Sequence, residues 1–156
     1  KAQVELLKSM GAAHVLNSSD DDFVDRLAAI AAKLQATAAF EAIGGEMTGT
    51  LFNVLPEGST VFVYGALSEA ACDNIDPIEL IFRGKTVTGF YLGALLRERG
   101  SLDVVRAASR AQKMLIDGRI ETKVQRTVSL EEAVDGLRQY VDHMTDGELL
   151  MMPQTG

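Results

Sequence analysis

The chain has 156 residues, 47% hydrophobic and 24% charged, which supports a folded core and excludes disordered and collagen-like classes. A formal net charge of −7 leaves no basic stripe, so electrostatics disfavour nucleic acid and anionic lipid and point to a small molecule or another protein as partner. No apolar run reaches the roughly 20 residues of a bilayer-spanning helix, and the single cysteine, Cys72, rules out an internal disulfide and a four-cysteine zinc site, with a reducing cytoplasm as the expected setting.

Val4, Leu7 and Met10 recur at helical spacing and stop at Gly11, which predicts a helix packing one side. "KAQVELLKSMG" has no N-cap residue in front, so it reads as the interior of a helix, with an upstream segment expected. "AHVLN", 13–17, predicts a short strand, and Ser19 with Asp22 predicts the cap of a second helix. In that helix Phe23, Leu27, Ile30, Ala31 and Leu34 share a face, while Asp25, Arg26 and Lys33 stay outside.

"TAAFEAI", 37–43, and "STVFVYG", 59–65, are nearly continuous apolar runs, the pattern of strands covered on both faces. Between them "EMTGTLFNVLPEG" is of helix length and ends in Pro56 and Gly58, so strand, helix and strand make a parallel crossover. Asp76 as N-cap, Pro77 and Glu79 open a short helix. "KTVTGFYL", 85–92, predicts a strand nearer an edge, diluted by lysine and threonine.

Beyond Gly93 the pattern turns helical. Leu102, Val105, Ala108 and Leu115 share a face that ends at Gly118, and "SLEE" from Ser129 is a capping box. It opens a helix with Leu130, Ala133, Val134, Leu137, Tyr140 and Val141 inward, and "GELLMMP" closes as a strand. With no repeat and no linker, residues 1–156 read as one α/β unit, a parallel sheet flanked by helices.

In open parallel sheets ligands sit beyond the carboxyl ends of the strands, which directs attention to "AIGG", "YGALS" and "FYLG". Glycine in each lets a ligand approach the backbone. Gly44, Gly45 and Gly49 do not fit G-x-G-x-x-G, and Gly44–Thr50 lacks the lysine of a phosphate loop. His14 and His143 have no third ligand for a metal. Cys72 has no basic neighbour in sequence to activate it, and Ser68 lacks a nucleophile elbow. Tyr64 and Tyr91 stand at strand ends, where packing is the simpler role, and "SSDDD" reads as a solvated helix start.

Taken together, "VELLKSMGAAHVLN", "FEAIGGEMTGTLFNVLPEGSTVFVYGALS" and "KTVTGFYLG", in this order, resemble the cofactor domain of the medium-chain dehydrogenase/reductase family. Within that zinc-type alcohol dehydrogenase superfamily the likeness is to its NADPH:quinone oxidoreductase and enoyl-reductase branch. The resemblance implies a partial Rossmann domain that lacks the first two strands and the glycine-rich turn, which would lie upstream. It carries cofactor contact, mainly through backbone, onto Ile43, Gly44, Gly65, Ala66, Leu67, Phe90 and Leu92. The strand "AHVLN" would then lack the two strands that separate it from "TAAFEAI", so the chain is expected to belong to a longer protein, to rearrange, or to pair with another copy.

The cofactor implied is NADP(H) or NAD(H). Relatives often place tyrosine after the "VLN" strand where this chain has Ser18, and the residue that usually decides between the two would lie upstream. The function implied is hydride transfer to a quinone or an activated alkene or carbonyl, by an oxidoreductase of which this is the cofactor portion, with catalytic residues and any zinc ligands elsewhere. The fragment alone is expected to be inactive. The competing reading is a non-catalytic dimerisation or nucleotide-sensing piece, because strand 85–92 resembles the one that pairs between subunits in the family. An acyl-transfer enzyme is disfavoured by the lack of triad spacing.

Overall fold

Apolar, β-branched residues at the middle of the chain build three short strands, β1 (Ala38–Glu41), β2 (Thr60–Val63) and β3 (Thr86–Gly89). They are seen in a computed structural model that describes residues 2–142 and 147–153. All three are parallel, in the order β1-β2-β3, and Glu41, Val63 and Gly89 stand level in register. The chain divides into two compact units, 1–95 and 96–156, where the sequence reads as one.

In the first unit, α1 (Ala2–Ser9) and α2 (Phe23–Leu34) precede the sheet, and α3 (Glu46–Val54) and α4 (Pro77–Phe82) form the two crossovers. The core gathers Ala31 of α2, Phe52 of α3, Leu55 and Val61, with Ala39, Val63 and Val87 packed around them. Leu55 is extended, as a residue before proline prefers, and Gly58 takes φ +74°, which together end α3 and turn the chain into β2. Asp76 caps α4 as expected, its Oδ1 accepting the Ile78 N–H at 2.8 Å.

Lys85 enters β3 with its side chain 4% exposed. Its Nζ donates to the Phe52 and Asn53 carbonyls at 3.1 and 3.0 Å and pairs with Glu79. The cation thus sits on the last turn of α3, where the helix dipole favours it. The residue read from sequence as diluting an edge strand is an anchor between helix and sheet.

Four expectations for this unit need correction. Residues 13–17 form no strand, because none of the described strands pairs with them and a parallel strand cannot stand without a neighbour. The N-cap of α2 is Asp22, not Ser19; Asn17 and Asp20 close a turn in front of it, with Asn17 Nδ2 donating to Asp20 Oδ1 at 2.8 Å. On α1, Leu7 and Met10 are exposed. On β1, Phe40 is 71% exposed and stacks on Phe62 at 5.4 Å between ring centroids, so β1 is not covered on both faces by this unit.

α5 (Leu92–Glu98) runs across the division between units. The second unit then contains α6 (Ser101–Ile116), β4 (Val124–Val128), α7 (Ala133–Asp142) and β5 (Glu148–Met151), with β4 and β5 parallel. The capping box forms: the Glu132 N–H donates to Ser129 Oγ at 3.3 Å, and the Ser129 N–H to Glu132 Oε2 at 3.2 Å. β4 carries no sequence signal strong enough to predict it, since only Val128 of "VQRTV" is buried.

The face of α7 also differs from expectation. Gly136 is buried against Val128 and Leu149, and Ala133 and Tyr140 are half-buried beside it, whereas Leu130, Val134, Leu137 and Val141 are exposed. A glycine brings the helix axis close to the two-stranded sheet and turns the larger apolar side chains away. Leu102, Val105 and Leu115 on α6 are exposed as well. Among the described residues no helix is long and apolar enough to cross a membrane.

Candidate functional site

The level ends of the three strands make one rim. Backbone pairing continues one residue beyond each ladder, with the Tyr64 N–H donating to the Glu41 carbonyl at 2.9 Å and the Phe90 N–H to the Val63 carbonyl at 2.8 Å. Past these bonds the chains separate, which leaves backbone exposed at the strand ends.

The turn after β1 is organised by a buried carboxylate. Glu41 is 2% exposed; its Oε1 accepts the N–H groups of Ile43 and Gly44, the latter at 2.9 Å, and its Oε2 accepts Thr48 Oγ1 at 3.0 Å. Gly44 and Gly45 take φ +77° and +60°, left-handed conformations that admit the tight entry into α3. A helix N-terminus after a strand is where a nucleotide phosphate commonly binds. In this chain the Glu41 carboxyl takes the N–H groups of Ile43 and Gly44, in the turn just ahead of α3, so these two amides are not free for a phosphate at "AIGG".

The loop after β2 is tied to that turn. Leu67 donates its N–H to the Ala42 carbonyl at 3.1 Å, Ser68 to Ile43 at 2.8 Å and Asp73 to Gly45 at 3.2 Å. A Cβ on Gly49 of α3 would stand 2.2 Å from the Asp73 carbonyl oxygen, so glycine there admits the loop onto the helix. Asn53 completes the attachment: its Nδ2 donates to the Asn74 carbonyl at 2.8 Å, and its Oδ1 accepts the Asp76 N–H at 3.3 Å.

Between the ends of β2 and β3 lies an open hollow of about 570 Å³, lined among others by Tyr64, Gly65, Ala66, Phe90 and Tyr91. The peptide groups of Gly65 have no hydrogen-bond partner among the described residues. Phe90, in the lining of the hollow, and Ile43, Leu67 and Leu92, outside that lining, expose apolar side chains. The hollow therefore sets the free backbone of Gly65 beside the exposed rings of Tyr64, Phe90 and Tyr91.

Of the residues singled out from sequence, Gly65, Ala66 and Phe90 line this hollow. Ile43 and Leu67 stand on the two adjoining turns, linked through Ala42 and Ser68. Gly44 is buried and its N–H is committed to Glu41, so it shapes the turn from below. Leu92 begins α5 and does not end a strand, because pairing in β3 stops at Gly89. Glu41 and Asn53 are not singled out by the sequence, and Gly49 enters there only as a glycine that fits no phosphate fingerprint; an acidic residue inside an apolar strand next to paired glycines is the available signal.

Cys72 is exposed, with Thr48 Oγ1 at 3.4 Å from its sulfur. His14 lies in the unpaired segment 13–17, and His143 falls outside the described residues. A larger hollow of about 740 Å³ runs along α6 past Arg99, Arg106 and Arg110 in the second unit, and it contains none of the turn glycines.

Among solved structures the chain is similar to a protein assigned as an NADPH:quinone reductase from Mesorhizobium loti, with 31% identity over 98% of this chain and 44% of that one, at a TM-score of 0.87. It also matches the fold of the mitochondrial 2-enoyl thioester reductase Etr1p/Etr2p heterodimer from Candida tropicalis (19% identity, 89% and 41% covered, TM-score 0.74). A third likeness of fold is to CurA in complex with NADPH from Vibrio vulnificus (16% identity, 100% and 48% covered, TM-score 0.71). The chain thus spans less than half the length of each of these relatives. No curated protein matches it in sequence. Residues 1–109 match the family described as zinc-binding dehydrogenase, and with most of its length inside that match the chain belongs to this family.

Proposed function

We propose that the rim at the ends of β1, β2 and β3 holds the nicotinamide half of NADP(H) or NAD(H) in an oxidoreductase whose substrate is a quinone or an activated alkene or carbonyl. The observation that carries this reading is the unpartnered Gly65 peptide at the mouth of the hollow between β2 and β3. Its N–H and C=O match the acceptor and donor of a carboxamide. The names of the relatives, NADPH:quinone reductase and 2-enoyl thioester reductase, and the NADPH bound to CurA support the choice of cofactor and of substrate class.

In this mechanism the bound nicotinamide supplies the hydride, and the chain supplies orientation and dryness. Gly65 and Ala66 fix the carboxamide and thereby which ring face meets the substrate. Ile43, Leu67, Phe90 and Leu92 close the ring's apolar surround and exclude water. Among the described residues no group of three or more His, Cys, Asp or Glu side chains is placed to hold a metal ion, so the zinc of the family's description finds no ligand set here and no step is routed through it. No proton donor is assigned within the chain.

The test is titration of the natural full-length protein with NADPH, followed by nicotinamide fluorescence. Binding should enhance or shift the emission, and Gly65→Val should weaken it by about tenfold or more. An unchanged affinity in the variant overturns the placement.

The alternative, a non-catalytic assembly piece, draws on β3, which lies at an edge of the three-stranded sheet. Homodimerisation through residues 85–92 is compatible with either role. Sedimentation that reports a dimer in a protein with no response to NADPH or NADH favours the assembly reading.

A further inference from the structure

We infer that Glu41 is a positioning residue for the nicotinamide side of the rim, an inference that rests on the cofactor reading above. Its carboxylate is buried, and among the described residues it forms no ion pair. A charge in that position persists only when its oxygens are fully hydrogen-bonded. The donors are the N–H groups of Ile43 and Gly44, in the turn ahead of α3, and the Thr48 hydroxyl in the first turn of α3. Charge-assisted bonds of this kind are stronger and more directional than neutral ones.

The consequence travels outward by one step. The carbonyls of Ala42, Ile43 and Gly45, in the turn that Glu41 fixes, accept the N–H groups of Leu67, Ser68 and Asp73. A Cβ on Gly44 would lie 3.3 Å from both the Ala70 carbonyl oxygen and Ser68 Oγ, so the two turns have little room to slide. Glu41 therefore sets where Leu67 stands, and through it Gly65 and Ala66 at the hollow, although it does not line the hollow itself. Glutamine in its place would turn an NH2 group toward the Gly44 N–H, which lies 3.0 Å from Oε2; the Thr48 hydroxyl can accept from that NH2, but the Gly44 donor cannot, and this side of the turn would have to open.

The experiment compares wild type, Glu41→Gln and Thr48→Val in the natural full-length protein. Affinities are measured by calorimetry for NADPH and for 2′-phospho-ADP-ribose, which lacks the nicotinamide. Amide hydrogen exchange is followed at Gly44, Leu67 and Ser68, with Val61 and Val87 as core references. For Glu41→Gln, NADPH should bind about tenfold more weakly while 2′-phospho-ADP-ribose changes by less than about twofold. Exchange should accelerate at the three rim amides and not at the references.

Equal losses for both ligands, or no loss for either, overturn the inference. Thr48→Val removes one donor at nearly constant volume and should show the same pattern at smaller size; it decides the matter if Glu41→Gln does not fold. If wild type binds neither ligand, the cofactor reading fails, and exchange alone judges Glu41: acceleration confined to the rim supports its role, and uniform acceleration overturns it.

Discussion

Gly65 lies against Ala42 so closely that a Cβ on it would stand 2.5 Å from the Ala42 carbonyl oxygen and 2.9 Å from its Cα. This is backbone against backbone, which cannot rotate away as a side chain can. The approach lets the loop after β2 hydrogen-bond back to the turn after β1. Packing between adjacent strand ends therefore fixes the geometry of the rim before any ligand arrives.

Gly65→Ala should accordingly cost about 1–3 kcal/mol, the range for overpacking a rigid contact. The damage should concentrate where the new methyl pushes, at the bonds from Leu67 to Ala42 and from Ser68 to Ile43. Urea denaturation combined with amide exchange checks both parts. A variant as stable as wild type, with unchanged exchange at Leu67 and Ser68, would contradict the close approach.

Lys85→Met should be more damaging. The lysine is buried and shared between Glu79 and two carbonyls at the end of α3, and its Nζ lies 5.8 Å from the centre of the Phe52 ring. Its removal leaves a partly buried carboxylate without a cation and two carbonyls without a donor. Breaking a buried pair in this way costs about 3–5 kcal/mol, although Glu79 is 20% exposed and solvent screening favours the lower end. The double variant Lys85→Met/Glu79→Leu should recover part of the loss, and a double-mutant cycle in guanidinium measures how much.

Local signals made the parallel crossovers legible. Asp76 with Pro77, the Ser129 capping box, and glycine after the first two apolar runs each act through a few neighbouring residues and stand in the structure as read, whereas Gly93 falls inside α5. The failures come from terms that sequence windows do not contain. "AHVLN" has strand composition but no strand beside it, and α7 buries Gly136 where periodicity favours Leu137. At the rim, composition pointed to the turns, yet the group that organises the first of them is Glu41, whose burial depends on donors up to seven residues away. Tertiary hydrogen bonding of a single carboxylate leaves no period to detect.

Ser59→Ala should be neutral or stabilising. The Ser59 hydroxyl is buried and has no hydrogen-bond partner among the described residues. Burying a hydroxyl without a partner costs on the order of 1–3 kcal/mol, and alanine removes that cost while leaving a void smaller than a water molecule. The backbone links of Ser59, its N–H to Pro56 and its carbonyl to Thr86, remain in the variant. Thermal unfolding monitored in the far ultraviolet should give a midpoint at or above that of wild type, and a clear fall would mean that the hydroxyl is bonded in solution.

The last prediction concerns acid and the start of α7. The Ser129 N–H, foremost, and then its hydroxyl hold the Glu132 carboxyl below its ordinary value; partial desolvation opposes them and the Arg126 charge assists. Because the folded value is depressed, the capping contribution is complete above the unfolded glutamate value of about 4.3 and disappears as pH falls through the lowered folded value. The first turn of α7 should fray in acid while α6, which has no such cap, is unaffected by this group. Carboxyl carbon shifts of Glu132 followed by NMR should titrate below those of an exposed glutamate. Ser129→Ala should bring the midpoint only part of the way back toward the ordinary value, since it removes the hydroxyl bond and keeps the backbone N–H, the larger cause. A Glu132 midpoint indistinguishable from that of glutamate in an unstructured peptide would show that the box does not form in solution.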